Sequence, residues 1–289
     1  MTKYAEVVSA VNAILAEYDF PLTLRQVHYR LVSRNLIQNT PSAYNGLSKM
    51  LVRAREKGDV DDTRMEDRAR QVLKAKKCYD NPEQFTEIMK NQFKSVGQAY
   101  KANPWVDQPV FVEVWVEKDA LSTLLYEAAK PYRVTVCPNR GYSSYTYIKR
   151  VAIDDRLSHV DKPIVILYFG DHDPSGIQMT EDLERRLVKY GEGLDIEVER
   201  VALTIKQVRE YKLMPNRIKP EDTRSGEYSQ TYGDDCWELD AIEPKELQRI
   251  TKEAIEKQLD LKMWEKSLKQ EEMDRANLTK RFSNATVTF

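Results

Sequence analysis

The stretch Pro163–Gly176, Pro-Ile-Val-Ile-Leu-Tyr-Phe-Gly-Asp-His-Asp-Pro-Ser-Gly, constrains this chain more than any other. Its apolar run Ile164 to Phe169, rich in β-branched and aromatic residues, does not alternate with polar ones. It therefore predicts a strand covered on both faces, as in a parallel sheet. Gly170 breaks the run, Asp171 and Asp173 follow, and Pro174 and Gly176 permit a tight turn into a helix from about Ile177. Sheets of this class place ligands just past the carboxyl ends of their strands. Two carboxylates so close repel unless a cation or a proton lies between them, and oxygen ligands favour a hard cation such as Mg²⁺. For an isolated Asp-x-Asp the alternative is a solvated acidic turn that caps the next helix.

The flanking sequence alternates in the same style. Val110–Val116 reads as a strand, 120–129 as a helix, 133–137 as a strand, 144–155 as a helix, 177–190 as a helix and 196–203 as a strand. Regular β-α-β alternation implies a parallel, Rossmann-like sheet with right-handed crossovers. Glu117 directly follows the first strand, as Asp171 follows the third. Parallel strands end on one edge, so Glu117, Asp171 and Asp173 are expected to converge on one Mg²⁺, with phosphate oxygens completing its shell.

Ahead of this module lie three short amphipathic segments. Val7, Val8, Val11, Ile14 and Leu15 form one apolar stripe, and Leu24, Val27, His28, Leu31 and Val32 a second. Thr23-Leu-Arg-Gln26 has the form of a capping box. The third segment, capped by Ser42, carries Tyr44, Leu47, Leu51 and Ala54 on one side and projects Lys49, Arg53 and Lys57 elsewhere. Gly58-Asp59 and the polar run to Asp67 fit a hairpin wing. Three helices and a wing describe a winged-helix module, whose third helix would lie in the major groove of double-stranded DNA with its cations on phosphates. Residues 1–78 carry 14 Lys and Arg against 9 Asp and Glu, while the whole chain is near neutral at −1. A basic module joined to an acidic one fits a phosphate binder coupled to a metal site, although it also fits two unrelated domains.

The expected organisation is a winged-helix domain at 1–75, a linker helix at 76–108, the metal-binding α/β domain at 109–243 and a helical extension at 244–289. Its 289 residues contain no apolar run near the roughly 20 needed to cross a bilayer. No signal-peptide core opens the chain, and Cys78, Cys137 and Cys236 form no Cys-x-x-Cys pair. These features argue for a cytoplasmic protein without a zinc site, and the DNA-binding reading adds the expectation of nucleoid association.

Glu-Lys-Asp after the first strand and Asp-x-Asp-Pro-x-Gly after the third resemble the Toprim domain of topoisomerases, primases and related nucleases. Arg25-Gln-Val-His-Tyr29 is similar to the Arg-x-x-Tyr-Tyr element of the topoisomerase VI (type IIB) A subunits and their meiotic double-strand-break relatives. Trp237-Glu-Leu-Asp-Ala-Ile242 resembles the Glu-x-x-Ala-Leu element that follows their Toprim strands. The domain order is theirs, over roughly residues 20 to 250, and the short chain resembles the stand-alone Mini-A members. His28 replaces the first tyrosine of the pair, and Gly141-Tyr-Ser-Ser144 stands where the family has Gly-x-Pro-Asp.

The resemblance implies Tyr29 as nucleophile and a homodimer in which the tyrosine of one protomer meets the metal site of the other. The chain has no Walker-A loop, so strand passage driven by ATP would require a separate GHKL-type ATPase B subunit. A tyrosine hydroxyl, with a pKa of about 10, needs activation. Arg25, one helical turn before Tyr29, is placed to hold the scissile phosphate and favour the phenolate. Mg²⁺ would stabilise the phosphate and the departing 3′-oxygen, with Glu117 as ligand or general acid/base and Lys118 as a further cation beside the DNA. The product would be a 5′-phosphotyrosyl link. The competing readings are a Toprim nuclease that uses water and a winged-helix protein that binds DNA without cutting it.

Overall fold

Residues 3–66, 78–139, 147–218 and 225–283 are described by a computed structural model. They fall into two units, one drawn from Met1–Gln71 with Val112–Ile255 and the other from Val72–Phe111 with Glu256–Phe289. The first unit opens with α1 (Lys3–Ala16), β1 (Leu22–Thr23), α2 (Leu24–Ser33), α3 (Pro41–Glu56) and β2 (Met65–Glu66). Residues three and four apart share one side of a helix. By that spacing Val7, Val11 and Ile14 of α1, Val27 and Leu31 of α2, and Leu47, Leu51 and Ala54 of α3 close over one apolar core.

The capping box forms as expected: Gln26 N donates to Thr23 Oγ1 at 3.3 Å, and Thr23 N donates to Gln26 Oε1 at 2.8 Å. Helix α3 starts earlier than Ser42. Pro41 has the fixed φ that suits a first helical position, so Thr40 caps instead and accepts from Ala43 N at 3.2 Å. The expected wing is not a hairpin over its described part. Val60 is buried in the helical core and draws the chain back across it. After a 3-10 turn at Asp62–Arg64, β2 then pairs in parallel with β1. Asp67 lies outside the described residues.

Next come α4 (Pro82–Lys94) and α5 (Val96–Ala99), then the α/β part: β3 (Phe111–Val116), α6 (Ser122–Ala129), β4 (Thr135–Pro138), β5 (Ile164–Phe169), α7 (Pro174–Tyr190) and β6 (Ile196–Ala202). The four strands form a parallel sheet in the order β4-β3-β5-β6. All of β5 is buried, as its unbroken apolar run requires. Between β4 and β5 the described residues 147–154 wind as a π-helix. Gly141-Tyr-Ser-Ser144 lies outside the described residues. The chain runs outward from β3 to β4, then returns across β3 to lay down β5. The carboxyl ends of β3 and β5 thus flank the point where strand order reverses, the usual place for a ligand.

A region the sequence left unassigned follows: α8 (Ile205–Glu210), β7 (Asn216–Arg217), α9 (Ser225–Tyr232) and β8 (Asp235–Cys236), with β7 and β8 antiparallel. A 3-10 turn at Leu239–Ala241 leads to α10 (Pro244–Lys257) and α11 (Leu261–Ser283). The C-terminal helices divide between the units. Helix α10 buries Leu247, Ile250 and Ile255 and belongs, up to Ile255, to the first.

Helix α11 belongs to the second, with α4 and α5, so the segment expected as a linker has its own packing partner. Buried Glu271 accepts from Ala102 N at 2.8 Å and pairs with Arg275 at 2.8 Å, while Trp105 meets Trp264 edge-on at 6.0 Å. Gly97 is where α5 crosses α11. A Cβ there would lie 2.7 Å from Arg275 O and 2.8 Å from Thr279 N, backbone atoms that cannot step aside. Gly97→Ala should cost about 1–3 kcal/mol. In native-state hydrogen exchange the destabilisation should appear in 82–99 and 261–283, and the sheet should keep its protection.

Candidate functional site

The carboxyl edge of the sheet gathers acidic groups by short backbone links. As the chain leaves β3, Glu117 N donates to Phe169 O at 2.8 Å. Glu117 Oε2 accepts from Asp171 N at 3.0 Å. Asp171 Oδ1 accepts from Leu239 N at 2.7 Å, and its Oδ2 lies 2.8 Å from Lys118 Nζ. Asp173 Oδ1 accepts from Gly176 N at 2.6 Å, capping α7, which therefore starts at Pro174 rather than Ile177. A Cβ at Gly176 would collide with the Asp171 carbonyl, so only glycine allows this turn. His172 pairs with Trp237 in an antiparallel bridge, N–H to O at 2.8 and 2.9 Å. That bridge delivers Glu238 and Asp240 to the same edge.

Helix α2 forms the facing wall. Arg25 reaches Glu238, and its Nε lies 3.3 Å from Asp240 Oδ2. Lys118 Nζ lies 3.0 Å from Glu238 and 3.1 Å from Asp240. The Tyr29 phenol feels the charges of Glu238, Arg25, Lys118 and Asp240. Together these walls enclose an open cavity of about 940 Å³, with Arg25, His28 and Tyr29 on one side and Lys118, Asp171, Asp173 and Glu238 on the other. His28 sets its ring edge-on to Tyr29 at 5.6 Å and to Tyr44 at 5.2 Å.

Burial and crowding decide the charges. Burial, then the Asp171 charge, push Glu117 up to about 7. Burial also raises Asp171, against the pull of Lys118. Lys118 would be lowered by burial alone, but Asp240, Asp171 and Glu238 outweigh that and keep it protonated. Burial would raise Glu238, but Lys118 and Arg25 outweigh it and keep it ionised. Tyr29 is pushed up to about 12 by burial and then by Glu238, which Arg25 and Lys118 only partly offset. Arg25 does favour the phenolate, but burial and Glu238 outweigh it and the phenol is held protonated. It needs a proton acceptor to react, and ionised Glu238 stands beside it.

Among the described residues no three His, Cys, Asp or Glu are arranged to hold a metal ion. Asp171 is engaged with Lys118 and Leu239, and Asp173 with its helix cap. By chemistry alone the three carboxylates are oxygen donors of the class a hard divalent cation takes, and burial with the Asp171 charge raises Glu117.

The structure brings Arg25, Tyr29, Glu117, Asp171 and Asp173 to this edge within one chain. Lys118 is there too, on the cavity lining and at the hub of three carboxylates. Lys49, Arg53 and Lys57 are exposed, one turn apart on α3. Asn45, which begins the same i, i+4 row, lines the cavity. Glu238 and Asp240 belong to the site although sequence reasoning gave them no role. Their signal was the acidic pair inside Trp237–Ile242. Arg200 was also missed; it braces the loop through Gly170 O at 3.1 Å and Gly176 O at 3.1 Å.

The fold and site together define an α/β protein with a charged cavity at the switch point of its sheet. No known family model matches the chain, and no curated protein matches it.

Lys118 is the residue whose removal the site should tolerate least. Lys118→Gln leaves Asp171 and the fully buried Asp240 side chain without their shared cation. Urea unfolding should register a destabilisation of about 3–5 kcal/mol, whereas Lys49→Gln, on the exposed face, should stay within about 0.5 kcal/mol.

Proposed function

We propose that this chain cleaves DNA strands by tyrosine transesterification with Mg²⁺ as cofactor, in the manner of the topoisomerase VI A subunits and their meiotic relatives. The observation that carries the proposal is the shared cavity. Tyr29 and Arg25 face Asp171, Asp173 and Glu238 across it, at the switch point of the sheet. A nucleophilic hydroxyl, a guanidinium and a carboxylate cluster are the parts that phosphoryl transfer requires.

In this reading Tyr29 Oη attacks the phosphorus, an Oη–P bond forms and the P–O3′ bond breaks. Glu238, ionised and on the same cavity lining, accepts its proton. Glu117, pushed up to about 7, carries a proton near neutrality and gives it to the 3′-oxygen. Mg²⁺ held by Asp171 and Asp173 would supply positive charge for the phosphate oxygens. Arg25 orients the phosphate once it lets go of Glu238. The exposed row Lys49, Arg53 and Lys57 leads outward from the cavity wall and takes the flanking backbone. Two such chains would cut both strands, and ATP-driven passage would fall to a separate GHKL-type subunit.

One observation favours a second reading, hydrolysis by water: the Tyr29 phenol is held protonated. The two differ in what stays on the DNA. With supercoiled DNA and Mg²⁺, the wild type should leave broken strands that enter a gel only after protease digestion. Tyr29→Phe should abolish that covalent product while DNA affinity stays within about twofold. Free ends from both proteins would identify the hydrolase, and no cleavage by either would leave only binding.

The α3 row has its own test. Replacing Arg53 and Lys57 by Gln should weaken binding across sequences and reduce the salt slope by roughly one unit for each phosphate that is no longer neutralised. An unchanged slope would place α3 away from DNA.

A further inference from the structure

A second cavity, of about 500 Å³, adjoins the first: Tyr29 and Asn39 line both. Its other walls come from the end of α2, the turn 211–214 after α8 and the start of α10. That volume lies within the range of about 300–1,000 Å³ in which proteins hold small molecules. Arg30, 8% exposed, is its buried cation. The guanidinium donates from Nη2 to Ala241 O at 3.0 Å, while Nε is buried with no partner. Burial lowers Arg30 from the usual guanidinium value. A buried donor left unmatched is costly, so an acceptor supplied from outside is favoured.

The carboxylates of the same lining are already engaged. Glu243 accepts from Tyr18 Oη at 2.5 Å and, on its other oxygen, from Glu246 N at 3.0 Å. Glu246 accepts from Tyr211 Oη at 2.6 Å and, on its other oxygen, from Arg249 Nε at 2.9 Å. With Arg249 set against Glu246, Arg30 and the exposed Lys212 stand against Glu243 alone, and neither makes an ion pair among the described residues. The remaining wall is apolar or aromatic: the Tyr211 ring, Leu213 and Met214, the last 54% exposed to water.

We propose that this cavity binds a single nucleotide, its phosphate on Arg30 Nε and Lys212 and its base against Tyr211, Leu213 and Met214. A phosphate offers acceptors in several directions, which suits two cations brought by different elements. A base gives the exposed apolar wall a flat partner, and the amides of Asn35 and Asn39 can meet its polar edge. Nε is closed to water, so the phosphate reaches it as Met214 or Lys212 turns aside, and both are exposed. Two sources carry this chemistry: a free nucleotide, and one nucleotide of a strand that passes Tyr29. The site goes beyond the transesterase reading and does not rest on it.

The test titrates the whole chain with adenosine 5′-monophosphate, adenosine and inorganic phosphate in a calorimeter. The monophosphate should bind once per chain with a Kd below about 1 mM, at least about tenfold tighter than either half alone. Lys212→Glu should weaken it by about tenfold or more and leave adenosine within about twofold, because the reversed charge repels only the phosphate. Arg30→Gln should act in the same way; if it does not fold, Lys212→Glu decides. On photolysis, 8-azidoadenosine 5′-monophosphate should label 30–35 or 211–214, and unlabelled monophosphate should compete. No binding at about 10 mM overturns the proposal. So does an affinity no better than that of adenosine, an affinity unchanged in Lys212→Glu, or a label confined to α3 and the β7–β8 pair. A tetranucleotide that displaces the monophosphate assigns the site to a strand, and one that does not assigns it to the free nucleotide. None of these readouts needs cleavage, so the failure of this site and the failure of the transesterase reading are distinct results.

Discussion

The ammonium of Lys118, enclosed by Asp171, Glu238 and Asp240, is the interaction on which the rest of the site depends. Taking an ion out of water costs several kcal/mol, and mutual attraction offsets this only where geometry and further hydrogen bonds are good. Here they are supplied from four places: the end of β3 brings Lys118, the end of β5 brings Asp171, the turn after β8 brings Glu238 and Asp240, and α2 brings Arg25. The ends of β3 and β5 and the turn after β8 cannot move far apart without separating Lys118 from its carboxylates. The charges therefore position the chain more than they stabilise it.

Backbone pairing makes the arrangement possible. The loop Gly170–Asp173 is held on one side by Arg200 and on the other by the His172–Trp237 bridge. His172 Nδ1 lies 2.7 Å from Tyr228 Oη, and that hydroxyl also lies 2.9 Å from His172 O. A carbonyl can only accept, so the phenol donates to it and the ring N–H donates to the phenol. Burial, then Arg200, lower His172 to about 4, so the ring is neutral at physiological pH and serves as a spacer with one fixed tautomer. The excursion 205–238, which carries Tyr228 and Trp237, thus folds back to fix the two aspartates whose strand precedes it.

What could be read from the sequence follows from how local its cause was. Ile164–Phe169 was legible because a strand buried on both faces leaves no alternation to misread. The stripes of α1 to α3 were legible from helical spacing, and the Thr23–Gln26 box from a contact three residues long. The excursion was not, because its strands have two residues each and its helices are too short to show a period. The partner of 82–99 was also hidden, since it lies at the far end of the chain. In the site, Glu117, Asp171 and Asp173 could be placed by the rule that parallel strands end together. Glu238 and Asp240 reach the same edge only through one backbone bridge across 65 residues, which no spacing encodes. Lys118 was visible, but its carboxylate partners Glu238 and Asp240 were not.

The same charges decide what a phosphate would meet. On the cavity lining Arg25, Lys118 and Arg217 balance Asp171, Asp173 and Glu238 in number. Arg25 and Lys118 are already paired with those acids, and an incoming phosphate finds no free positive charge from either. Attraction therefore begins with the exposed cations, Arg217 at the cavity and the row Lys49, Arg53 and Lys57 outside it, which act over about a Debye length of 8–10 Å. Entry then requires either that Arg25 exchange a carboxylate for the phosphate or that a divalent ion add charge at Asp171 and Asp173. Binding and chemistry are thus separated in space and in charge: exposed cations that any polyanion can approach, and an inner site that admits a phosphate only when its own pairs rearrange.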